Sequence, residues 1–212
     1  MTPEDVRKRI KAQKPMNSVG PDGISSAFLK KIVNGTSVNI ANLIYMIIAN
    51  GHYPESLALG RIKPVFKGKG STLNVMSYRP ILLKNALAKI VDGILFGNQL
   101  NASIEGSLNP NIFAYRSSLG TEDAVIRIRE TIIAEIEKGN KVVVVAWDIK
   151  KAFEELPHKV VLESISRTGA SETSMNVIRS SLAFKASYVQ VGDAKSKIIS
   201  NMSRGILGKG IT

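Results

Sequence analysis

The spacing of hydrophobic residues along the 212-residue chain switches repeatedly between helical and strand-like periods. Helical spacing predicts helices over residues 2–14, 24–33, 38–48, 85–100, 121–138, 159–167 and 172–184. Asn34 and Gly35 are expected to separate the second helix from the third, and residues 101–120 are expected to form a loop. We expect each helix to bury an apolar face. In the helix at residues 24–33 this face includes Phe28. The face predicted for the fifth helix consists of Val125, Ile128, Ile132 and Ile136.

Strand-like runs predict two hairpins and one isolated buried strand. Residues 61–66 and 77–81 flank a tip at residues 67–72, and residues 186–191 and 195–200 flank a turn at Gly192 and Asp193. Residues 142–147 (VVVVAW) are expected to form a strand buried on both faces, because β-branched residues suit a packed pleated surface. The mixture predicts an α/β (α+β) fold with helices packed on a small, mostly antiparallel sheet.

Asp148 follows directly after the predicted buried strand. An ionised carboxylate at that place is costly to desolvate unless a cation or a set of donors meets it. One interpretation is that Asp148, together with the aromatic ring of Phe153 five residues later, forms the base of a metal- and substrate-binding site. The other interpretation is a solvated carboxylate that ends a core strand. Trp147 is interpreted as a core residue.

The charge distribution favours a polyanion as partner. The chain has 29 Lys and Arg against 17 Asp and Glu, a net charge of +12. Residues 56–91 contain seven bases and no acid, and a second basic group lies within residues 7–14. Nucleic acid explains an acid-free run of this length better than solubility does. An acidic membrane surface is the weaker alternative, since no strongly amphipathic basic helix accompanies the charge.

Composition excludes several classes of protein and of site. There are no cysteines, so disulfides and thiolate metal sites are excluded. The charged start lacks the apolar core of a signal peptide. No run approaches the roughly 18 uninterrupted apolar residues of a membrane span. We expect an intracellular protein, nuclear or cytoplasmic, without a membrane partner.

The tip at residues 67–72 (KGKGST) is glycine- and lysine-rich, but it lacks the first glycine of a GxxxxGK[ST] phosphate loop. Its small residues would let backbone and lysines approach an anion. An exposed flexible turn is the alternative. Arg79, on the return strand, can act as a planar fork towards phosphate or form a surface salt bridge.

Five blocks of sequence, in order, resemble the reverse transcriptase domain of non-long-terminal-repeat retrotransposons. The resemblance covers residues 14–212. The blocks are residues 17–24 (NSVGPDGI), 61–72 with 77–81 (a hairpin ending in YRPI), 114–116 (AYR), 120–124 (GTEDA) and 148–153 (DIKKAF). The last block is similar to the family's catalytic block D-x-x-x-A-F-D.

The resemblance implies a fingers-and-palm polymerase that copies RNA into DNA with two divalent metals, Mg²⁺ or Mn²⁺. It implies that Asp148 is the catalytic carboxylate and first metal ligand, with the Ile149 carbonyl beside it. Phe153 would be the aromatic gate that excludes a 2′-hydroxyl, and Lys63 and Arg79 would hold the incoming triphosphate. The nucleic-acid contacts we predict are Arg61, Lys67, Lys69, Lys84 and Arg116. The implied partners are an RNA template, a DNA primer or target, and deoxynucleoside triphosphates.

The chain departs from the family pattern in several ways. It has no Asp-Asp pair, so the aromatic-x-Asp-Asp hairpin would lie beyond residue 212, as would the thumb. Glu154 stands where the catalytic block has Asp, and Gly208-Lys209 replaces the Gln-Gly of a glycine-rich block. We therefore expect a truncated copy that binds nucleic acid, does not polymerise alone, and binds Mg²⁺ weakly or not at all.

The expected organisation is a basic helix at 1–14, a fingers-like region with early palm helices at 15–140, and a partial palm at 141–212. One alternative is a non-catalytic RNA- or DNA-binding module derived from a reverse transcriptase. Another is a metal-dependent phosphohydrolase using Asp148. That enzyme would need further carboxylates, or His52 and His158, to converge on Asp148.

Overall fold

The computed structural model describes residues 2–14, 18–99, 101–116, 118–149, 152–200 and 203–205. The helices are α1 (Pro3–Ala12), α2 (Ser26–Asn50), α3 (Glu55–Ala58), α4 (Ala86–Gln99), α5 (Asn101–Ser107), α6 (Thr121–Glu137), α7 (Ala152–Glu155), α8 (His158–Ser166) and α9 (Glu172–Ala183). The strands are β1 (Leu59–Phe66), β2 (Tyr78–Lys84), β3 (Ala186–Val191) and β4 (Ala194–Lys195). The predicted α+β class is confirmed.

Helix α1 forms as predicted, and a reciprocal capping box between Thr2 and Asp5 stabilises its first turn. The Thr2 hydroxyl accepts from the Asp5 backbone N–H at 3.3 Å, and the Asp5 carboxylate accepts from the Thr2 N–H at 2.8 Å. Pro3 occupies a position that suits a helix start. Val6 and Ile10 are fully buried against α2, which fixes the helix on the core.

Helix α2 is one continuous helix, so the predicted break at Asn34 and Gly35 is wrong. A glycine inside a helix costs only about 1 kcal/mol relative to alanine. A continuous apolar stripe on both sides of Gly35 outweighs that cost, and it consists of Leu29, Val33, Ile40, Ala41, Ile44 and Ile47. Phe28, predicted to be buried, is half exposed.

By length and composition alone, α2 would be able to cross a membrane. In this structure its apolar stripe packs against α1, α4 and α9. Ser37 is fully buried on the same helix and accepts a hydrogen bond from Arg7 Nε at 3.1 Å. Core helices commonly combine this length and composition with such packing.

The sheet has the strand order β2-β1-β3-β4. β1 pairs with β2 in antiparallel register from Gly60↔Lys84 to Phe66↔Tyr78, and β3 pairs with β4 in the same sense. β1 and β3 run parallel. The mostly antiparallel sheet and both hairpins are therefore confirmed. The last strand is shorter than predicted, and Ile199 contributes only an isolated bridge to Ser187.

The predicted buried strand at residues 142–147 is wrong. The segment has no strand partner within the described part of the chain, and it is open to solvent, with Val144 65% and Trp147 91% exposed. A strand forms only when neighbouring backbone satisfies its N–H and C=O groups. None of the described strands pairs with this segment, so its composition alone does not produce a strand.

The predicted buried stripe on α6 is also wrong. Val125, Ile128 and Ile136 are more than half exposed, and Ile132 is half-buried. The helix itself forms as predicted and ends before Gly139, whose φ is 81°. The loop predicted for residues 101–120 begins with α5 instead. Helices α8 and α9 are confirmed, separated at Gly169 with φ 76°.

Candidate functional site

The β1–β2 hairpin carries an ordered tip. The Lys67 N–H donates to the Ser77 carbonyl at 2.8 Å, and the Lys67 ammonium donates to the Met76 carbonyl at 2.7 Å. Gly68 and Gly70 have φ of 77° and 85°, which suits the tight reversal. Lys67 therefore closes the tip, while Lys69 is exposed at its end.

Lys63 and Arg79 lie on the same face of this hairpin. Lys63 is paired with Ile81 and Arg79 with Val65, so the two cations are diagonal neighbours on adjacent strands. Both side chains are exposed, and neither is in an ion pair within the described residues. Neither strand contains an Asp or Glu. The arrangement presents two free cations to an anionic ligand.

Arg61 connects the sheet to the loop that carries the first resemblance block. Its guanidinium donates to the Val19 carbonyl and, at 3.3 Å, to Oε1 of Gln190. Among the residues that the structure describes, its Nε is buried without a hydrogen-bond partner, and so is the hydroxyl of Ser18. Gly20 lies against the Lys84 backbone so closely that a Cβ would approach the Lys84 carbonyl to 2.5 Å. These contacts bring residues 18–20 against the sheet; Asn17 lies outside the described residues.

Lys84 is partly buried and has a partner on α4. Its ammonium lies 2.6 Å from Oδ2 of Asp92 on α4, and Oδ1 of Asp92 accepts a hydrogen bond from the Tyr53 hydroxyl at 2.6 Å. Burial, and then the charge of Asp92, raise the pKa of Tyr53 well above its ordinary value. The predicted contact Lys84 thus has an internal partner in the absence of nucleic acid.

Arg116 also has internal partners. Its Nε donates to Glu105 at 2.7 Å, and Nη1 donates to the Ile112 carbonyl at 3.3 Å. Among the predicted basic site residues, Lys63, Lys69 and Arg79 are therefore the exposed ones. The predicted bases therefore fall into two groups, those that bond to other residues of the fold and those whose side chains are exposed to solvent.

Asp148 and Ile149 lie at the end of the exposed segment 142–149. A carboxylate and a backbone carbonyl are the hard oxygen donors that Mg²⁺ and Mn²⁺ prefer. Within the described part of the chain, however, no group of three Asp, Glu or His side chains is arranged to hold a metal. The oxygen donors of Asp148 and Ile149 are of the type that Mg²⁺ or Mn²⁺ binds, but they are too few to form a complete metal site. The side chains of Phe153 and Glu154 lie outside the described residues.

Neither histidine converges on Asp148 in the described structure. His52 packs edge-to-face on Phe184, with ring centroids 5.2 Å apart. His158 Nε2 lies 3.1 Å from the Gly205 carbonyl. Both histidines make packing or hydrogen-bond contacts within the fold. The described residues therefore do not form the histidine-containing metal site that a phosphohydrolase would need.

Lys185 is a buried cation that is not among the residues predicted from the sequence. Its ammonium donates to the Gly205 carbonyl at 2.7 Å, which ties residues 203–205 to the start of β3. Burial, and then the nearby charge of Lys84, lower its pKa to about 8. A lysine between a helix and a strand carries no sequence signal of burial, so only the three-dimensional packing identifies it.

The chain is similar to retrotransposon polymerases. It is 26% identical over 189 residues to the retrovirus-related Pol polyprotein from type-1 retrotransposable element R2 of Popillia japonica, an alignment covering 89% of this chain and 25% of that protein. It is 22% identical over 163 residues to the RNA-directed DNA polymerase from mobile element jockey of Drosophila funebris, covering 76% and 18%. The Drosophila melanogaster counterpart is 22% identical over 199 residues, covering 93% and 22%. No family model matches the chain.

The relatives confirm the resemblance to reverse transcriptases of non-long-terminal-repeat retrotransposons, at modest identity over most of the chain. The chain spans a quarter or less of the length of these curated relatives.

Proposed function

We propose that this chain is the nucleotide- and template-binding part of a retroelement reverse transcriptase, working in RNA-templated DNA synthesis within a larger polymerase. The observation that carries the proposal is the pair Lys63 and Arg79, free and exposed on one face of an acid-free hairpin. The similarity to RNA-directed DNA polymerases supports it. Residues 15–140 would act as fingers and residues 141–212 as part of a palm.

The chemistry assigned to the hairpin is charge neutralisation. A nucleoside triphosphate brings several negative charges, and further charge develops on the leaving pyrophosphate. Lys63 supplies a compact charge and Arg79 a planar fork of donors, so together they bind and orient the phosphates. The exposed bases of the hairpin, including Lys69, contact the nucleic-acid backbone.

Asp148 and the Ile149 carbonyl would hold a divalent metal. When bound, the metal supplies Lewis-acid stabilisation of phosphoryl oxygens. A two-metal reaction needs about three converging acidic donors, and the described residues supply one carboxylate at this place. We therefore propose that the 212-residue chain binds substrates and does not add nucleotides by itself.

The test is nucleotide-dependent retention of a primer–template. A labelled DNA primer on an RNA template is titrated with the purified chain, with Mg²⁺ present and with or without the matching deoxynucleoside triphosphate. We expect the matching nucleotide to tighten the complex. Lys63→Ala and Arg79→Ala should abolish that gain, whereas Lys31→Ala, which removes an exposed base from α2, should leave it intact.

Primer extension in the same mixture tests the catalytic part of the proposal. No extension is expected from the chain alone. Extension that disappears in Asp148→Asn would show that these residues contain a complete metal site, contrary to the proposal. Nucleic-acid binding without any nucleotide effect would instead favour a non-catalytic binding module.

A further inference from the structure

We infer that one face of the whole four-stranded sheet binds single-stranded nucleic acid, with Tyr188 as a stacking platform for a base. We call this surface the basic face and define it by Arg61, Lys63, Arg79, Tyr188, Gln190 and Lys195. The inference deepens the proposed function, because it extends the nucleic-acid contacts from the β1–β2 hairpin to β3 and β4.

The strand registers place these residues together. Arg61 is paired with Tyr188 across the β1–β3 interface, and Lys195 is paired with Gln190 across the β3–β4 interface. Directly paired residues point to the same side of a sheet, and residues two apart along a strand share a face. The hydrogen bond between Arg61 and Gln190 demonstrates that β1 and β3 present these side chains on one side.

The charge of the sheet is one-sided. Its four strands contain five bases and no Asp or Glu. The fifth base, Lys84, lies on the opposite face and is neutralised by Asp92. The remaining four, Arg61, Lys63, Arg79 and Lys195, form no ion pair within the described residues. Lys63, Arg79 and Lys195 are exposed, whereas Arg61 is partly buried and donates to the Val19 carbonyl and Gln190.

A polyanion is the ligand that matches an uncompensated row of cations. Three interstrand spacings of about 4.8 Å separate β2 from β4, so the face is roughly 14 Å wide. That width limits the contact to a short stretch of one strand, a few nucleotides long. A short track of this size is typical of single-strand binding by small sheets.

Tyr188 makes the face suitable for unpaired bases. Tyr188 is partly exposed and is paired with Arg61 across the β1–β3 interface, and within the described residues its hydroxyl forms no hydrogen bond. An aromatic ring on a basic sheet stacks with any base, whereas a duplex hides its base faces inside the helix. The basic face has one buried residue, Leu83, which is paired with Arg61. The opposite face is less suitable, because Gly60, Leu82 and Ser187 are buried there and its base, Lys84, is paired with Asp92.

The experiment measures fluorescence anisotropy of a labelled single-stranded RNA and of the corresponding duplex, over a range of salt concentrations. Tyr188→Leu keeps an apolar side chain and removes the ring. It should weaken single-strand binding roughly tenfold, with an unchanged salt slope and little effect on the duplex. Tyr188→Phe should bind like the unmodified chain. Lys195→Ala should lower the salt slope of the log–log plot by about one unit.

Two matched controls isolate the surface. Tyr45→Leu removes another exposed tyrosine, 73% exposed on α2, and Lys31→Ala removes an exposed base from the same helix. The inference is overturned if Tyr188→Leu behaves like Tyr45→Leu, or if it weakens duplex and single strand equally. Circular dichroism melting of each variant establishes that the sheet is intact.

The nucleotide effect assigned to Lys63 and Arg79 is a separate readout. If Tyr188→Leu does not weaken single-strand binding, but the matching nucleotide still tightens the primer–template complex, only the basic face is rejected. The converse result rejects the nucleotide site and keeps the basic face.

Discussion

The Lys84 ammonium lies 2.6 Å from Oδ2 of Asp92, and the second oxygen of the same carboxylate accepts the Tyr53 hydroxyl. One side chain on α4 therefore holds both the end of β2 and the turn after α2. Because Tyr53 is buried and Lys84 and Asp92 are partly buried, these bonds are screened less by water than surface pairs are.

Replacing Asp92 with alanine is expected to lower the free energy of unfolding by about 2 kcal/mol, since a buried hydroxyl and a partly buried cation lose their acceptor. Urea denaturation measures the change. Glu135→Ala is the control, because it removes solvent-exposed contacts with Lys138 and Asn140 and should cost less than about 1 kcal/mol. Equal losses in the two variants would mean that the Asp92 network contributes no more than a surface pair.

Two glycines of α2, Gly35 inside the helix and Gly51 at its C-terminal cap, should change stability in opposite directions when replaced by alanine. Gly35 lies in the helix interior, and a Cβ there would meet nothing within 4 Å. Gly35→Ala is therefore expected to stabilise the chain by about 0.5–1 kcal/mol. Gly51 ends the helix with φ 60°, and a Cβ would lie 3.1 Å from Asn176. Gly51→Ala should destabilise by about 1 kcal/mol. Thermal melts that shift in the same direction would refute the continuous helix.

Local signals predicted the elements that are stabilised locally. Helical spacing predicted α1, whose first turn is closed by the Thr2–Asp5 capping box, and strand-like runs around a glycine- and lysine-rich tip predicted the β1–β2 hairpin. At Gly35 the local signal failed, because a glycine does not reveal that Ser37 and the apolar residues beyond it will be buried by other helices. Propensity is a weak prior when tertiary packing opposes it.

The candidate site was predictable in composition but not in detail. The bases between residues 56 and 91 are visible in the sequence, yet their division into bracing and exposed cations depends on distant partners, such as Asp92 for Lys84. Glu105 is likewise the distant ion-pair partner of Arg116. Tyr188 has no signal of its own, because its neighbours are set by the β1–β3 register.

The buried Lys185 predicts a rise of stability with pH. Its folded pKa of about 8 lies below the ordinary value of 10.5, so between these values the unfolded chain holds more protons at this residue. The cost of burying the charge is present below about pH 8 and is relieved as pH rises towards 10.5. Between about pH 8 and 9.5 we expect the unmodified chain to gain about 1 kcal/mol relative to Lys185→Met.

Urea denaturation of both proteins at each pH checks this prediction. Lys89, whose pKa burial also lowers, is present in both and cancels in the difference. Tyr53, whose pKa is raised, contributes only above about pH 10, outside this window. A difference between the two proteins that stays constant with pH would show that Lys185 is solvated in the folded chain.

The exposed segment at residues 142–147 predicts self-association of the purified chain. It is an apolar run without charge, proline or regular secondary structure, and its backbone forms no hydrogen bonds to other described backbone groups. Such segments pair with identical copies, because pairing satisfies their N–H and C=O groups and buries their side chains. Light scattering after gel filtration, above about 10 μM, should detect species heavier than the 23.0 kDa monomer.

Val144→Lys should shift these species towards monomer, since a charge inside a paired apolar segment is costly to bury. Val75→Lys is the matched control, because it adds the same charge at a valine that is 83% exposed outside the segment. If both substitutions dissolve the larger species equally, net charge is the cause rather than pairing of residues 142–147. A chain that is monomeric without either substitution would show that the segment does not pair between copies, and that its exposed valines are tolerated by a single molecule.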